Sequence, residues 1–219
     1  IWCRATEMKE WLTSNKPNWG SKWQAGDVKY KDLTGEGEVT PGASTLENHG
    51  DLKRIGNNSP RYRVGLNLDA AWKGIDFSIF FQGVLKRDWM FDAGDPYFWG
   101  AGSGMWQAAC FEEHMDYWTP ENTDAYYPKP YFNETKNQQA QDAYMQKASY
   151  LRCKNIQLGY TLPTHITEKA GISNCRIYLS CDNLFTITGL SSVYDPEVFG
   201  SYDGYGTSGK TYPRSEEHT

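Results

Sequence analysis

The chain has 219 residues, with 22 basic and 27 acidic side chains and a formal net charge of -5. This acidic balance argues against nucleic acid as a partner, because phosphate binding requires a basic surface. The mean hydropathy is -0.71, and no apolar run approaches the ~18 residues of a membrane helix, which excludes helical membrane spans. Aromatic residues make up 15% of the chain, a composition that suits sugar stacking, membrane interfaces, protein interfaces or an aromatic core.

The first motif in chain order lies at 27–38, DVKYKDLTGEGE. Asp32, Thr34 and Glu36 place oxygen atoms at alternate positions before a glycine, which is a degenerate form of a calcium-binding loop. The acidic residue expected at the twelfth place is replaced by Ala43. The motif therefore predicts a weakly specified Ca²⁺ site with ligands Asp32, Thr34 and Glu36, and a solvated turn without metal is the alternative.

Four segments alternate apolar and polar residues with the period of a β-strand. They span 62–69, 75–82, 155–162 and 175–182. We expect them to form antiparallel strands with one apolar face. Periodicity alone does not decide whether that face meets lipid or a protein core, so a secreted glycan-binding β-sandwich module is the alternative to a membrane barrel.

The connections between these strands differ in length. The turns AAWKG and PTHITEKAGIS are short or medium, whereas 84–147 and 188–212 are long. Long loops at one end and short turns at the other are typical of outer-membrane barrels. In that arrangement Tyr150, Arg152 and Lys154 are expected to continue the outward face above its apolar band.

The segment 84–132 contains thirteen aromatic residues. Loops of this length are usually functional or disordered, and the aromatic density argues against disorder. We predict that the segment forms a surface that contacts a ligand or a partner protein. The leading candidates are Trp99, Trp106, Tyr117 and Trp118.

No residue pattern indicates catalysis. The four histidines are scattered, and there is no phosphate-binding loop or dinucleotide fingerprint. Asp116 and Glu121 flank Trp118 in the manner of a glycosidase pair, but two loop carboxylates are common and their separation is not defined by sequence. The five cysteines lack zinc-type spacing, and we expect buried or lipid-facing thiols. The sequence therefore predicts a protein that is not an enzyme.

Several long motifs, in order, resemble the C-terminal part of SusC/RagA-type TonB-linked outer-membrane transporters. They are AGDVKYKDLTGEGEV, IGNNSPRYRVGLNLDAAWKGIDFSIFFQG, DYWTPENTDAYYPKP, ASYLRCKNIQLGYTLP and NCRIYLSCDNLFTIT. The resemblance implies an all-β fold, namely the C-terminal portion of a large antiparallel transmembrane β-barrel with long extracellular loops. Residues 1–219 are expected to form this part of a barrel of about 22 strands.

The resemblance also implies a function. It predicts TonB-dependent import of oligosaccharides or peptides across the outer membrane of Bacteroidetes-like cells. The implied partners are a SusD-like surface lipoprotein, TonB (through an N-terminal part outside this chain), a glycan or peptide substrate and outer-membrane lipid. Nucleic acid is not among them.

The sequences at the two ends of the chain lead to two further predictions. The chain opens at Ile1 without a methionine or a signal segment, which indicates a fragment. Its last six residues, 214–219, read RSEEHT and match the translation of a common sequencing-adapter start. We therefore expect 214–219 to be a non-native, disordered tail, and a genuine acidic tail is the alternative.

Overall fold

The computed structural model describes residues 5–100, 110–132 and 134–198. Trp106 and the segment 214–219, for which the sequence predicts a binding residue and a non-native tail, lie outside the described residues. Within the described part of the chain, no helix is long and apolar enough to cross a membrane.

The chain divides into two compact units. The first, here called the loop unit, comprises the described residues of 5–56 and 90–145. The second, here called the sheet unit, comprises those of 57–89 and 146–198. The alternating segments of the sequence lie in the sheet unit, and the calcium-like motif and most of the loop aromatics lie in the loop unit.

The sheet unit is a single antiparallel sheet. Its strands are β3 (Arg63–Trp72), β4 (Ile75–Val84), β5 (Asp88–Trp89), β6 (Gln146–Thr161) and β7 (Arg176–Gly189). β3 pairs with β4, β4 and β5 pair with β6, and β6 also pairs with β7. The four predicted strands and their antiparallel order are confirmed, although β6 is 16 residues long and β5 has no counterpart in the sequence prediction.

Two of the three connections between the long strands lie within the sheet unit. The predicted AAWKG turn is confirmed as a two-residue hairpin, with Lys73 at φ 49° and Gly74 at φ 85°. Positive φ at both central residues matches the right-handed twist of the flanking strands. The second connection contains α3 (Thr164–Thr167), a 3-10 turn (Glu168–Ala170) and the left-handed Gly171.

One face of the sheet is apolar across all four long strands. Ile75 pairs with Tyr160, and Phe77 pairs with Leu158. Directly paired residues of an antiparallel sheet share a face, so the expected placement of the β4 and β6 apolar residues on one side is confirmed. The same face continues into the outer strands through Leu66, Leu68, Trp72, Ile177, Leu179 and Ile187.

The opposite face carries side chains that bond to one another. Arg176 donates hydrogen bonds to Asp76 and to Gln157 across β7, β4 and β6. Asn155 donates to Asp182 at 2.8 Å. These charges and amides of the polar face therefore satisfy one another within the sheet.

A β-bulge at Lys154 changes the side chains' direction in the first half of β6. Phe80 pairs with Asn155, but the next residue, Phe81, pairs with Cys153, so Lys154 is skipped. One extra residue exchanges the two faces of a strand. The expectation that Tyr150 and Arg152 continue the apolar face is therefore wrong, because the bulge turns both onto the polar side.

The loop unit has little regular structure. Its elements are α1 (Ala5–Ser14), β1 (Lys16–Pro17), β2 (Glu38–Val39), α2 (Pro96–Trp99) and the 3-10 turns Glu112–Met115 and Asp142–Tyr144. β1 and β2 form a short parallel pair. Asp95 caps α2 by accepting hydrogen bonds from the backbone N–H groups of Tyr97 and Phe98, which fixes the first turn of this short helix.

A buried ion pair connects distant parts of the loop unit. The Nζ of Lys136 lies 3.0 Å from Oδ2 of Asp27, and the two side chains are 1% and 0% exposed. Asn137 donates to the other carboxylate oxygen, and the backbone N–H of Gln24 donates to Oδ2. The ammonium group also donates to the carbonyls of residues 21 and 22. Both charges are thus fully partnered, which buried charges require.

Candidate functional site

An aromatic core supports the candidate site in the loop unit. The ring of Phe98 lies 4.8 Å from that of Trp99, 5.8 Å from Tyr127 and 5.9 Å from Tyr144, all edge-to-face. Edge-to-face geometry is a favourable arrangement for aromatic pairs. Phe98 and Tyr144 are each 1% exposed. These four rings therefore form a packed base beside α2.

The DYWTPEN motif forms a small closed loop next to this core. Asp116 accepts hydrogen bonds from the side-chain amide of Asn122 at 3.1 Å and from the backbone N–H of Tyr126 at 3.0 Å. The backbone N–H of Trp118 donates to the carbonyl of Tyr127 at 3.0 Å. The Asp116 carboxylate therefore closes the loop, and both of its oxygens accept structural hydrogen bonds, a role that differs from the acid–base role of a glycosidase pair.

A cavity of about 240 Å³ opens beside the loop, and we call it the tyrosine cavity. Its walls include Tyr117, Tyr127 and Tyr131, with Trp99 among the lining residues. Pro128, Pro130 and Met115 add apolar surface, and Lys129, Glu134, His114, Asn137, Gln138 and Cys110 complete the lining. Flat aromatic walls with a few polar groups are the usual composition of a ligand site.

Most polar groups of the lining already have partners. Asn137 accepts from the backbone N–H of Val28 and donates to Asp27, and Gln138 accepts from the N–H of Gly94. His114 Nδ1 accepts from the N–H of Phe111, so Nε2 carries the proton and donates to the carbonyl of Tyr97. These contacts hold the imidazole in one neutral tautomer.

The Glu134 carboxylate differs from these partnered groups of the lining. Among the described residues, its Oε2 atom is buried without a hydrogen-bond partner. The nearest cation, Lys136 Nζ, lies 3.7 Å away and is engaged with Asp27. The Glu134 side chain as a whole is 38% exposed. Because Oε2 is buried, a bound molecule reaches this carboxylate through the exposed part of the side chain, where it is able to donate a hydrogen bond.

Burial also changes the pKa of the tyrosine hydroxyls of the cavity. Desolvation raises the pKa of Tyr127 and of Tyr131 far above the ordinary value. Both groups are therefore neutral across the physiological range, since burial disfavours the phenolate. The walls present uncharged rings to any ligand.

The predicted binding residues occupy different environments. Trp99 is 6% exposed and forms part of the cavity lining, and Tyr117 is 36% exposed at the same cavity. Trp118 is 8% exposed, and a Cβ on Gly26 would lie 2.4 Å from its ring. Trp118 therefore packs on the backbone of Gly26 and is not in the cavity lining. A recognition role for these residues stays a prediction.

The calcium-like loop is held by its own carboxylates. Asp32 accepts hydrogen bonds from the backbone N–H of Gly35 at 2.6 Å, the N–H of Gly37 at 2.8 Å and the hydroxyl of Thr34 at 3.2 Å. The Gly35 bond, then the Gly37 bond, are the main reasons why the pKa of Asp32 lies below its ordinary value. Asp51 caps the same loop by accepting from the N–H groups of residues 33, 34 and 40.

This arrangement bears on the predicted metal ligands Asp32, Thr34 and Glu36. Asp32 and Thr34 are brought together, but both Asp32 oxygens already serve the loop. The described residues contain no group of three or more His, Cys, Asp or Glu side chains that could hold a metal. A calcium ion would have to share these oxygens with the backbone amides, and its binding stays a prediction.

The sequence did not single out most of the cavity lining. Tyr127 and Tyr131 were only two of thirteen loop aromatics, and His114, Met115 and Glu134 carried no pattern. A usable signal is the run Tyr126–Tyr131, YYPKPY, because proline restricts the backbone and holds the flanking rings apart.

Comparison with known proteins assigns the family. No family model matches the chain. The chain is 30% identical over 173 residues to "TonB-dependent receptor P3" of Formosa agariphila, covering 79% of this chain and 16% of that protein. It is 25% identical over 172 residues to "TonB-dependent receptor P26" of the same organism, with 78% and 16% covered. The chain thus spans about one sixth of the length of these curated relatives.

The chain is also similar to solved structures. The RagAB peptide importer in its 'open-open' state shares 28% identity at a TM-score of 0.44, over 59% of this chain and 14% of that one. The RagAB peptide transporter shares 32% identity at a TM-score of 0.41, over 57% and 13%. The curated relatives and the ordered motifs lead to one assignment: the chain belongs to the TonB-dependent receptors and corresponds to part of a transporter of the SusC/RagA type.

Proposed function

We propose that the chain forms part of an outer-membrane barrel that imports oligosaccharides or peptides in a TonB-dependent manner. In this proposal the sheet unit is a section of the barrel wall and the loop unit contacts substrate or partner. The role is transport and not catalysis. The observation that carries the proposal is the continuous apolar face of the four long strands.

That face is made of large side chains that remain exposed. Leu179 is 69% exposed, Ile177 65% and Leu66 52%. Soluble monomers rarely expose contiguous apolar patches beyond a few hundred Å², whereas barrel strands turn such a face to lipid and a polar face to the lumen. The alternation seen here therefore favours a lipid-facing surface.

The β-sandwich alternative requires a second sheet over the same face. The only other sheet in the described residues is the two-residue pair of β1 and β2. The apolar rows of β4 and β6, which a sandwich would bury against each other, lie side by side in one sheet. These features support the barrel.

The polar side supports it too. Arg152 forms ion pairs with Asp195 at 2.8 Å and with Glu197, and Lys154 pairs with Glu197 at 3.0 Å. Tyr194, in the same post-β7 segment, is 0% exposed. Charges on a lumen-facing surface are expected to be paired in this way, because the lumen is polar.

The partners in this proposal come from the family. A SusC/RagA-type transporter works with a SusD-like surface lipoprotein and with TonB, and we propose both for the complete transporter. The similar structures are named as a peptide importer and a peptide transporter. That name describes those proteins, and we therefore propose both peptides and oligosaccharides as candidate substrates of the complete transporter. The loop aromatics Trp99, Trp106, Tyr117 and Trp118 are proposed as contact residues.

A charge substitution on each face tests the barrel. Arginine near the bilayer midplane of a lipid face costs about 2–4 kcal/mol, whereas a polar lumen face tolerates it. Leu179→Arg should therefore reduce the amount of folded protein in the outer membrane, measured by heat-modifiable migration of membrane fractions. The neighbouring Ser180→Arg, on the polar face, should not. Equal behaviour of the two variants would contradict a lipid-facing Leu179.

A further inference from the structure

We propose that the tyrosine cavity binds one apolar or aromatic side chain of a peptide. The inference rests on the proposed import function, because it names the substrate class that the loop unit contacts. It concerns a cavity whose lining lies entirely within the loop unit. Four observations carry it: the size, the walls, the state of the polar groups and the charges.

The size favours a single side chain. The cavity measures about 240 Å³, below the ~300–1,000 Å³ of sites that enclose drug-sized ligands. An oligosaccharide would have to leave most of its rings outside. A peptide needs only one side chain inside, with its backbone passing across the mouth.

The walls favour a flat apolar group. Tyr117, Tyr127 and Tyr131 present rings, and Pro128 and Met115 present aliphatic surface. The neighbouring ring contacts hold the site open, since Tyr127 stacks on Tyr144 at 6.3 Å and meets His114 at 5.4 Å. A cavity whose shape is fixed before binding loses little conformational freedom when it is filled.

Apart from Lys129 and Glu134, the polar groups of the lining disfavour a sugar ring. The side chains of Asn137 and His114 have their donors and acceptors engaged within the protein, and the Oε1 of Gln138 accepts from Gly94. A pyranose carries several hydroxyls, and each one buried without a partner is costly. An apolar or aromatic side chain brings no such requirement.

The charges suit a peptide backbone. Lys129 and Glu134 both line the cavity, and the Lys129 ammonium lies 5.8 Å from the centre of the Tyr131 ring. One group donates hydrogen bonds and the other accepts them. A peptide that places a side chain in the cavity carries a carbonyl and an N–H beside it, which complement this pair.

Calorimetric titration of the detergent-purified protein tests the proposal. The probes are N-acetyl-phenylalaninamide, N-acetyl-alaninamide and methyl glucoside. We expect the phenylalanine probe to bind and the other two not to bind at the same concentration. Tyr117→Ala should weaken binding about three- to tenfold, the range expected for loss of one aromatic contact. Met115→Trp, which fills the cavity from a position that is 65% exposed, should abolish it.

Phe132→Ala is the matched control, because Phe132 is an exposed aromatic of the same unit that does not line the cavity. It should bind the phenylalanine probe like the parent protein. The inference is overturned if the phenylalanine probe does not bind, if both cavity variants bind it unchanged, or if methyl glucoside binds instead. TonB-dependent uptake in cells is measured separately, so loss of probe binding with uptake intact removes only this inference.

Discussion

Replacing Lys136 by methionine should destabilise the loop unit strongly. The substitution keeps most of the volume of the side chain and removes the ammonium group that lies 3.0 Å from Asp27. Asp27 is 0% exposed, so water does not replace the lost partner. Breaking a buried pair by removing one member typically costs about 3–5 kcal/mol. The lost cation–π contact with Tyr131, at 3.9 Å, acts in the same direction.

Hydrogen exchange gives the local readout. Since about 1.4 kcal/mol corresponds to a factor of ten, a cost of 3–5 kcal/mol raises the open population of the unit roughly 10²- to 10³-fold or more. Amides near Asp27, such as that of Val28, which donates to Asn137, should exchange faster by that factor. Peptide-level mass spectrometry on purified protein measures this acceleration.

Two further variants make the reasoning refutable. Lys31→Met removes an exposed lysine of the same unit and should change stability by less than about 0.5 kcal/mol. The double variant Asp27→Asn with Lys136→Met removes both charges and should recover part of the loss, because no unpaired buried charge remains. If Lys136→Met exchanges like Lys31→Met, the pair does not stabilise the unit and the reasoning is wrong.

Two predictions concern the calcium-like loop. The pKa of Asp32 is lower in the folded state than its ordinary value, so the carboxylate contributes stability that is complete above about pH 4 and is lost as the pH falls through the folded-state pKa. The protection factor of the Gly35 amide, which corrects the exchange rate for its intrinsic pH dependence, should fall on acidification below pH 4, and Asp32→Ala should remove this fall. If the loop binds calcium, calorimetry at millimolar calcium should show heat that Glu36→Gln diminishes, and absence of heat would count against the site.

Alternation of side chains predicted the sheet well. The pairing of Leu68 with Ile79 follows from two short apolar patterns and a tight turn, because a register error of one residue would move a whole apolar row to the polar side. The bulge at Lys154 could not be predicted in the same way. Residues on both sides of Lys154 alternate in sequence, and only the neighbouring strands reveal that one residue is skipped.

The candidate site was less predictable than the sheet. Aromatic density located the right segment, but it did not separate Tyr117 at the cavity from Trp118 against Gly26, since adjacent aromatics carry the same local signal. The ion pair of Asp27 and Lys136 joins positions more than a hundred residues apart. Long-range pairing of this kind depends on the tertiary fold, for which a single sequence contains no periodic pattern.

The bulge explains how β6 carries cations close to an apolar face. An unbroken strand would place Arg152 on the same side as Ile156 and Leu158, at a cost of up to about 2–4 kcal/mol if that side meets the hydrocarbon core. With Lys154 skipped, Arg152 instead reaches Asp195 at 2.8 Å, and Lys154 itself pairs with Glu197.

Deleting Lys154 should therefore harm assembly less than deleting a paired residue of β6. Without the extra residue, Asn155 and Cys153 become neighbours that still pair with Phe80 and Phe81, so Arg152 keeps both its pairing and its polar side. We expect an amount of folded protein in the outer membrane close to that of the parent, by heat-modifiable migration. Deletion of Leu158, which pairs with Phe77, should be tolerated worse, because a shift of one residue moves residues 155–157 to the opposite face of the sheet. Equal loss of assembly in the two deletion variants would contradict the assignment of Lys154 as the skipped residue of β6.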